Sequence, residues 1–214
     1  MKLTNEMLRL YAVTDRTYLC GQTLFEQVEK ALLGGATMVQ LREKEMDEEA
    51  FLKEAASMAK LCHRFGVPLL INDNVTVARL SGADGVHVGQ GDMEASSVRR
   101  ILGRDMIIGV TAKTVEQALL AEAAGADYLG SGAVFGSLTK TNARPMTKEM
   151  LKAITNAVSI PVVAIGGINK ENIMELAGCG VQGAAVVSGI FARENIEEEC
   201  RSLRKFAEMI AAQK

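Results

Sequence analysis

The chain has 214 residues, a formal net charge of −2, 48% hydrophobic residues and 23% charged ones. That length suits one large domain or two small ones and is enough to bury a sizeable core. The charge balance, the 4% aromatic content and the lack of Trp exclude the basic field and the stacking platforms expected of a nucleic-acid binder.

In chain order, short apolar runs recur at 10–14, 38–41, 68–71, 85–88, 106–110, 128–130, 161–165 and 184–187. Helical patterns lie between them. Over 48–64, Phe51, Leu52, Ala55, Ala59 and Cys62 mark one face near a period of 3.6. Asp47 is placed to cap that helix, with Glu48 and Glu49 at its positive end. Residues 114–124 and 197–212 show the same pattern. The joints "GGATMVQL" (34–41), "SGADGVHV" (81–88) and "AGADYLGS" (124–131), with a looser fourth, "CGVQGAAVV" (179–187), each end a helix on Gly before a strand follows. Eight such units at roughly 25 residues each predict an α/β chain folded as one (β/α)8 TIM barrel spanning 1–214; an open doubly wound sheet is the alternative.

Cys20, Cys62, Cys179 and Cys200 are widely spaced, without CxxC or a nearby His pair. They read as small thiols of a reducing compartment rather than as zinc or redox ligands. MKLTNEMLRL has no apolar core of signal-peptide length, and no run reaches the roughly 18 residues of a membrane span. A cytoplasmic protein with no membrane partner is expected. Self-association into a homo-oligomer is left open.

Barrels of this kind carry their active site at the C-terminal ends of the strands, and polar residues gather there. Gln40, Arg42 and Lys44 follow one another at spacing two through "VQLREKE" (39–45), so on a strand they share one face. Gln40 is expected to point inward, with Arg42 and Lys44 lining the mouth for an anion. The competing reading is a solvated strand end with surface ion pairs to Glu43 and Glu45, which fall on the other parity and are otherwise expected to be ordinary polar neighbours. Asn72, Asp73 and Asn74 follow strand 3, and His87, Gln90 and Asp92 follow strand 4. Two carboxylates beside a basic mouth are a usual way to hold Mg²⁺ on a substrate phosphate, and Asp73 and Asp92 are expected to serve so; the alternative is that Asp73 or Asn74, and Asp92, only cap helices. Thr111 and Lys113 end strand 5.

"AIGGINKENI" (164–173) places Gly166 and Gly167 between strand 7 and an expected helix, and "VVSGIF" (186–191) places Ser188 and Gly189 after strand 8. Backbone N–H groups there suit a phosphate, although Gly can serve turn geometry alone. The long segment 131–147, with Ser137, Thr139 and Lys140, suits a lid closing over phosphate. Its "GSGAVFG" has GxGxxxG spacing and opens a polar loop, so it is discounted as a dinucleotide site. His87 follows an apolar run and reads as a structural, hydrogen-bonded histidine. No Ser/His/Asp order and no HExxH occurs. The residues themselves thus describe a barrel enzyme with two anion subsites, one bridged by Mg²⁺.

"VQLREK", "INDN", "DGVHVGQGD", "IIGVT", "GADYLGSGAVFGSLTK", "PVVAIGGI" and "GAAVVSGI", in this order from about residue 10 to 191, resemble the thiamine phosphate synthase family. The resemblance implies a Mg²⁺-dependent transferase that couples hydroxymethylpyrimidine diphosphate with a thiazole phosphate, through a pyrimidinylmethyl cation, to give thiamine phosphate and pyrophosphate. It also implies roles. Gln40, Arg42, Lys44 and Asn72 would hold the pyrimidine diphosphate, with contacts added by Thr111 and Lys140. Asp73 and Asp92 would ligate Mg²⁺. Ser137, Thr139, Gly167, Val187 and Ser188 would bind the thiazole phosphate. Arg42, Lys44, Thr111 and Lys140 are the expected catalytic set. The chain departs from the family where Ser is usual in "GVS", with His often two residues on: here stand Thr111 and Lys113. It departs again where the lid commonly reads Pro-Thr and this chain has Gly136-Ser137. A related thiazole tautomerase, which shares the phosphate site but would not need the carboxylates and cations together, and a non-catalytic phosphate-binding regulatory barrel are the alternative functions.

Overall fold

The computed structural model of the chain describes residues 2–136 and 145–213. Eight parallel strands close in chain order into a barrel: β1 (Leu10–Val13), β2 (Met38–Leu41), β3 (Leu69–Asn72), β4 (Gly85–Val88), β5 (Ile107–Thr111), β6 (Tyr128–Gly132), β7 (Val162–Ile165) and β8 (Gly183–Val186), which pairs back onto β1. Around them run α1 (Leu24–Leu33), α2 (Glu48–Arg64), α3 (Val75–Leu80), α4 (Ala95–Leu102), α5 (Val115–Ala123), α6 (Lys148–Ala157), α7 (Ser188–Phe191) and α8 (Ile196–Ala212). The closed barrel is the expected architecture, and closure excludes the open sheet.

Local chemistry accounts for the element ends. Asp47 accepts from the Ala50 N–H at 2.9 Å and caps α2 as expected. Thr23 and Glu26 form a reciprocal capping box on α1. The helix-to-strand joints turn on Gly35, Gly82, Gly125 and Gly180, with φ of +97°, +80°, +90° and +77°, a region that Gly enters without steric cost.

One expectation needs correction. Between β7 and β8 the chain forms a short 3-10 turn, Ile173–Leu176, instead of an α-helix. Asn169 and Asn172 bond the backbone N–H groups of this segment locally, Asn172 Oδ1 accepting from Asn169 N and Asn169 Oδ1 from Glu171 N. Such bonds compete with helical pairing.

The main core lies between strands and helices, where Val39, Leu69, Val86, Ile108, Leu129 and Val162 meet the apolar stripes of the helices. A smaller core fills the barrel itself: Tyr11, Val13, Met38, Leu70, Ile107, Tyr128, Val163 and Ala185. Leu8, fully buried just before β1, joins that inner cluster and plugs the N-terminal end. With apolar packing at one end, the polar side chains of the barrel interior among the described residues lie toward the C-terminal mouth.

Candidate active site

A cavity opens at the C-terminal mouth, where the ends of β2, β3 and β5 bring Gln40, Arg42, Asn72 and Thr111 into one wall. The strand register sets this. Gln40 pairs with Leu70, Asn72 with His87, and Thr111 with Gly130, so inward positions of successive strands rise together. Gly166, Gly167, Val187 and Ser188, from the ends of β7 and β8, form the opposite wall.

Arg42 is held before any ligand arrives. Its backbone N–H donates to Thr14 Oγ1 at 3.0 Å, and its guanidinium Nη1 meets Asp15 Oδ2 at 3.1 Å. The two side chains are only 15% and 6% exposed. Asp15 is fixed in turn by accepting from the Thr17 N–H at 3.0 Å and hydroxyl at 2.6 Å. One ion pair satisfies one donor of the guanidinium and leaves others for an anion. Thr14 and Asp15 follow β1, a strand end that is not among the expected rim positions. The signal was present as "VTD" at 13–15.

The expected three-residue ridge is shortened. β2 ends at Leu41, so strand alternation stops before Lys44, which is exposed and stands outside the cavity wall. Glu43 also departs from expectation. Its side chain is 5% exposed and pairs with Arg16 at 2.8 Å, and burial pushes its carboxyl above the usual range against the pull of that arginine. It is a covered anchor for the β1 loop rather than an ordinary polar neighbour.

Asn74, not Asp73, caps α3, its Oδ1 accepting from Val77 N at 2.8 Å. Asp73 takes φ +61°, a conformation that Asp tolerates better than most residues. Its N–H donates to His87 O at 2.9 Å and its carboxylate accepts from Asn72 Nδ2 at 2.5 Å. Asp92 makes no cap on α4; its Oδ2 accepts from Gly89 N at 2.7 Å. The two carboxylates therefore stand exposed in the loops after neighbouring strands, outside the cavity wall. Carboxylates are the hard oxygen donors that Mg²⁺ takes, and that ion draws most of its ligands from water and phosphate; among the described residues no group of three or more His, Cys, Asp or Glu stands together to hold a metal without such help.

Gly166 and Gly167 take φ of +103° and +67°. A Cβ on Gly167 would lie 2.7 Å from Phe135 O, so close passage of the chain after β6 demands Gly there, quite apart from any phosphate. Asn172 Nδ2 donates to Gly167 O at 2.9 Å and braces the turn. Gly136, at the position where the resemblance expects Pro, takes φ +80°, which Pro cannot adopt. Ser137, Thr139 and Lys140 lie outside the described residues. Lys113 joins the cavity wall.

His87 is neither isolated nor merely packed. Its Nε2 lies 3.0 Å from Thr111 Oγ1 and its Nδ1 2.9 Å from the Tyr128 hydroxyl. Burial pushes the Tyr11 and Tyr128 hydroxyls well above the usual range, so the floor beneath the cavity carries neutral phenols at any physiological pH.

Residues 10–190 match the thiamine monophosphate synthase family. The chain is 47% identical over 196 residues to a thiamine-phosphate synthase of Clostridium botulinum, covering 92% of each chain. It is 47% identical over 194 residues to one of Ruminiclostridium cellulolyticum, covering 91% of this chain and 92% of the other. The solved thiamine phosphate pyrophosphorylase from Pyrococcus furiosus superposes with a TM-score of 0.89 at 37% identity, covering 96% of this chain and 98% of that one. On a matching barrel, a matching sequence over nearly its whole length and a cation-lined mouth, the chain belongs to the thiamine monophosphate synthase family.

Proposed function

We propose that this chain is a transferase of the alkyl or aryl (non-methyl) class that joins hydroxymethylpyrimidine diphosphate to a thiazole phosphate, releasing pyrophosphate and thiamine phosphate. The observation that carries this reading is a single cavity with the Arg42, Asn72 and Thr111 wall on one side and the Gly167, Val187 and Ser188 wall on the other. Two anionic substrates meet best in a cleft that offers each its own set of donors.

The bond between the pyrimidine methylene and the diphosphate oxygen breaks first, and its electron pair leaves with the diphosphate. Arg42, already oriented by Asp15, gains contact strength as charge builds on that leaving group. Gln40, buried low in that wall, would read the pyrimidine, and Asn72 and Thr111 would hold the diphosphate. Lys44 would add charge from the rim. The lone pair of the thiazole nitrogen then closes the new C–N bond on the pyrimidinylmethyl cation, with Val187 and Ser188 holding the thiazole phosphate near the first turn of α7. Bound at Asp73 and Asp92, Mg²⁺ would neutralise charge on the departing diphosphate. Ser137, Thr139 and Lys140 are proposed to complete the phosphate contacts as a lid. One barrel domain is proposed to do all of this in the cytoplasm, where four free thiols are at home. Among the described residues no helix is long and apolar enough to cross a membrane.

The purified chain, given both substrates and Mg²⁺, is expected to release pyrophosphate and form thiamine phosphate, and EDTA is expected to stop both. Failure of thiamine phosphate to form from authentic substrates would end this reading.

A further inference from the structure

Five side chains from five strands form one hydrogen-bonded chain across the floor of the cavity. Gln40 Nε2 on β2 donates to the Tyr11 hydroxyl on β1 at 2.6 Å. The Tyr128 hydroxyl on β6 donates to Tyr11 at 2.9 Å. The Tyr128 oxygen lies 2.9 Å from His87 Nδ1 on β4, and His87 Nε2 lies 3.0 Å from Thr111 Oγ1 on β5. The two ends, Gln40 and Thr111, are substrate groups in the reading above. The middle three had no role beyond structure.

This chain displaces apolar packing that the barrel uses elsewhere, such as Leu70, Ile107 and Val163. A buried polar network is costly unless its members satisfy one another. The backbone is shaped for it as well. A Cβ on Gly109 would sit 2.2 Å from Tyr128 Cζ, and a Cβ on Gly130 would sit 3.0 Å from His87 Cε1. Glycine on β5 and β6 is therefore what admits the Tyr128 and His87 rings, which pack with centroids 5.6 Å apart.

We infer that His87, held by Tyr128, is a positioning residue for Thr111, fixing the Thr111 hydroxyl at the cavity wall where it meets the diphosphate. A Thr side chain has restricted χ1 but still more than one accessible rotamer on a strand; a partner at 3.0 Å selects one. The hydroxyl is then ordered before the anion arrives, and the ordering cost is not charged to binding. The inference rests on the proposed contact between Thr111 and the diphosphate.

The test is a double-mutant cycle read as affinity for inorganic pyrophosphate in Mg²⁺ by calorimetry, beside the coupling assay. His87→Asn and Thr111→Val are each expected to weaken binding about tenfold, and the double variant to bind no worse than Thr111→Val alone within about twofold. A merely structural histidine would lower affinity in both backgrounds. The inference is overturned if the His87→Asn loss persists in the Thr111→Val protein, if His87→Asn binds like wild type, or if the wild-type chain does not bind pyrophosphate. Should His87→Asn not fold, Tyr128→Phe, which removes one oxygen and keeps the ring, carries the same cycle with the same criteria. Coupling in the cycle without thiamine phosphate formation would sink the proposed function and leave this inference standing. Product formation with additive losses would do the reverse.

Discussion

Arg42 and Lys44 look equivalent in the sequence, two cations two residues apart on a strand that runs into charge. They part company just beyond the strand, which ends at Leu41. Arg42 sits in the cavity wall, clamped by Thr14 and Asp15, while Lys44 is exposed beyond it. Arg42→Ala is expected to cut the coupling rate by more than about tenfold, because a charge-assisted contact that tightens in the transition state is lost. Lys44→Ala is expected to stay within about threefold, since an exposed cation contributes little through water. Steady-state kinetics on the two variants decides between them; equal losses would return Lys44 to the same face as Arg42. The role of Asp15 depends on the folded contact, although the residue itself is visible at the end of the first strand-like run. A carboxylate beside an anion site looks unfavourable from sequence, and only the 3.1 Å pair shows that it orients the arginine.

At the scale of elements, patterns that depend on neighbours in the chain were legible. The period of α2, its Asp47 cap and the glycine joints before β2, β4 and β6 are all local events. The β7–β8 link departs from the expected helix because the side chains of Asn169 and Asn172 bond the local backbone, a competition that the residue types alone do not decide. The inward glycines of β5 and β6 were also opaque. They look like weak strand residues, yet Gly109 lies under the Tyr128 ring. Gly109→Ala is expected to destabilise the fold by about 1–3 kcal/mol through overpacking, seen as a lower denaturant midpoint with an unchanged slope. A wild-type midpoint would mean that the ring moves aside freely.

For the whole molecule, closure of the barrel decides which groups water can reach. Cys62 and Cys200 are buried, and that burial pushes both thiols up to about 12; the same cause raises Cys179. Cys20 alone among the cysteines is exposed. At pH 8 a thiol of pKa 12 is ionised to roughly one part in ten thousand, and the thiolate is the reactive form. Raising the pH toward 12 would increase that fraction, so the sign of the effect is a slow reaction that accelerates with pH. Iodoacetamide at pH 8 is therefore expected to add one group per native chain, at Cys20, and four after denaturation in urea. Intact mass and peptide mapping would read this, and a second rapid adduct on the native protein would contradict the packing around α2, α8 or the loop before β8.

By itself the sequence determined the eight-unit alternation and the end of the barrel that carries polarity, and it singled out Gln40, Arg42, Asn72 and Thr111, which line the cavity, because strand parity, helix period and glycine joints are set by near neighbours. The tertiary structure alone decided that Arg42 leans on Asp15, that Lys44 falls outside the wall, that Glu43 is covered by Arg16, and that Gln40 and Thr111 are linked through Tyr11, Tyr128 and His87. Those contacts join strands up to 117 residues apart in the chain. Their distances come from the closure and register of the barrel, which spacing along one strand does not encode.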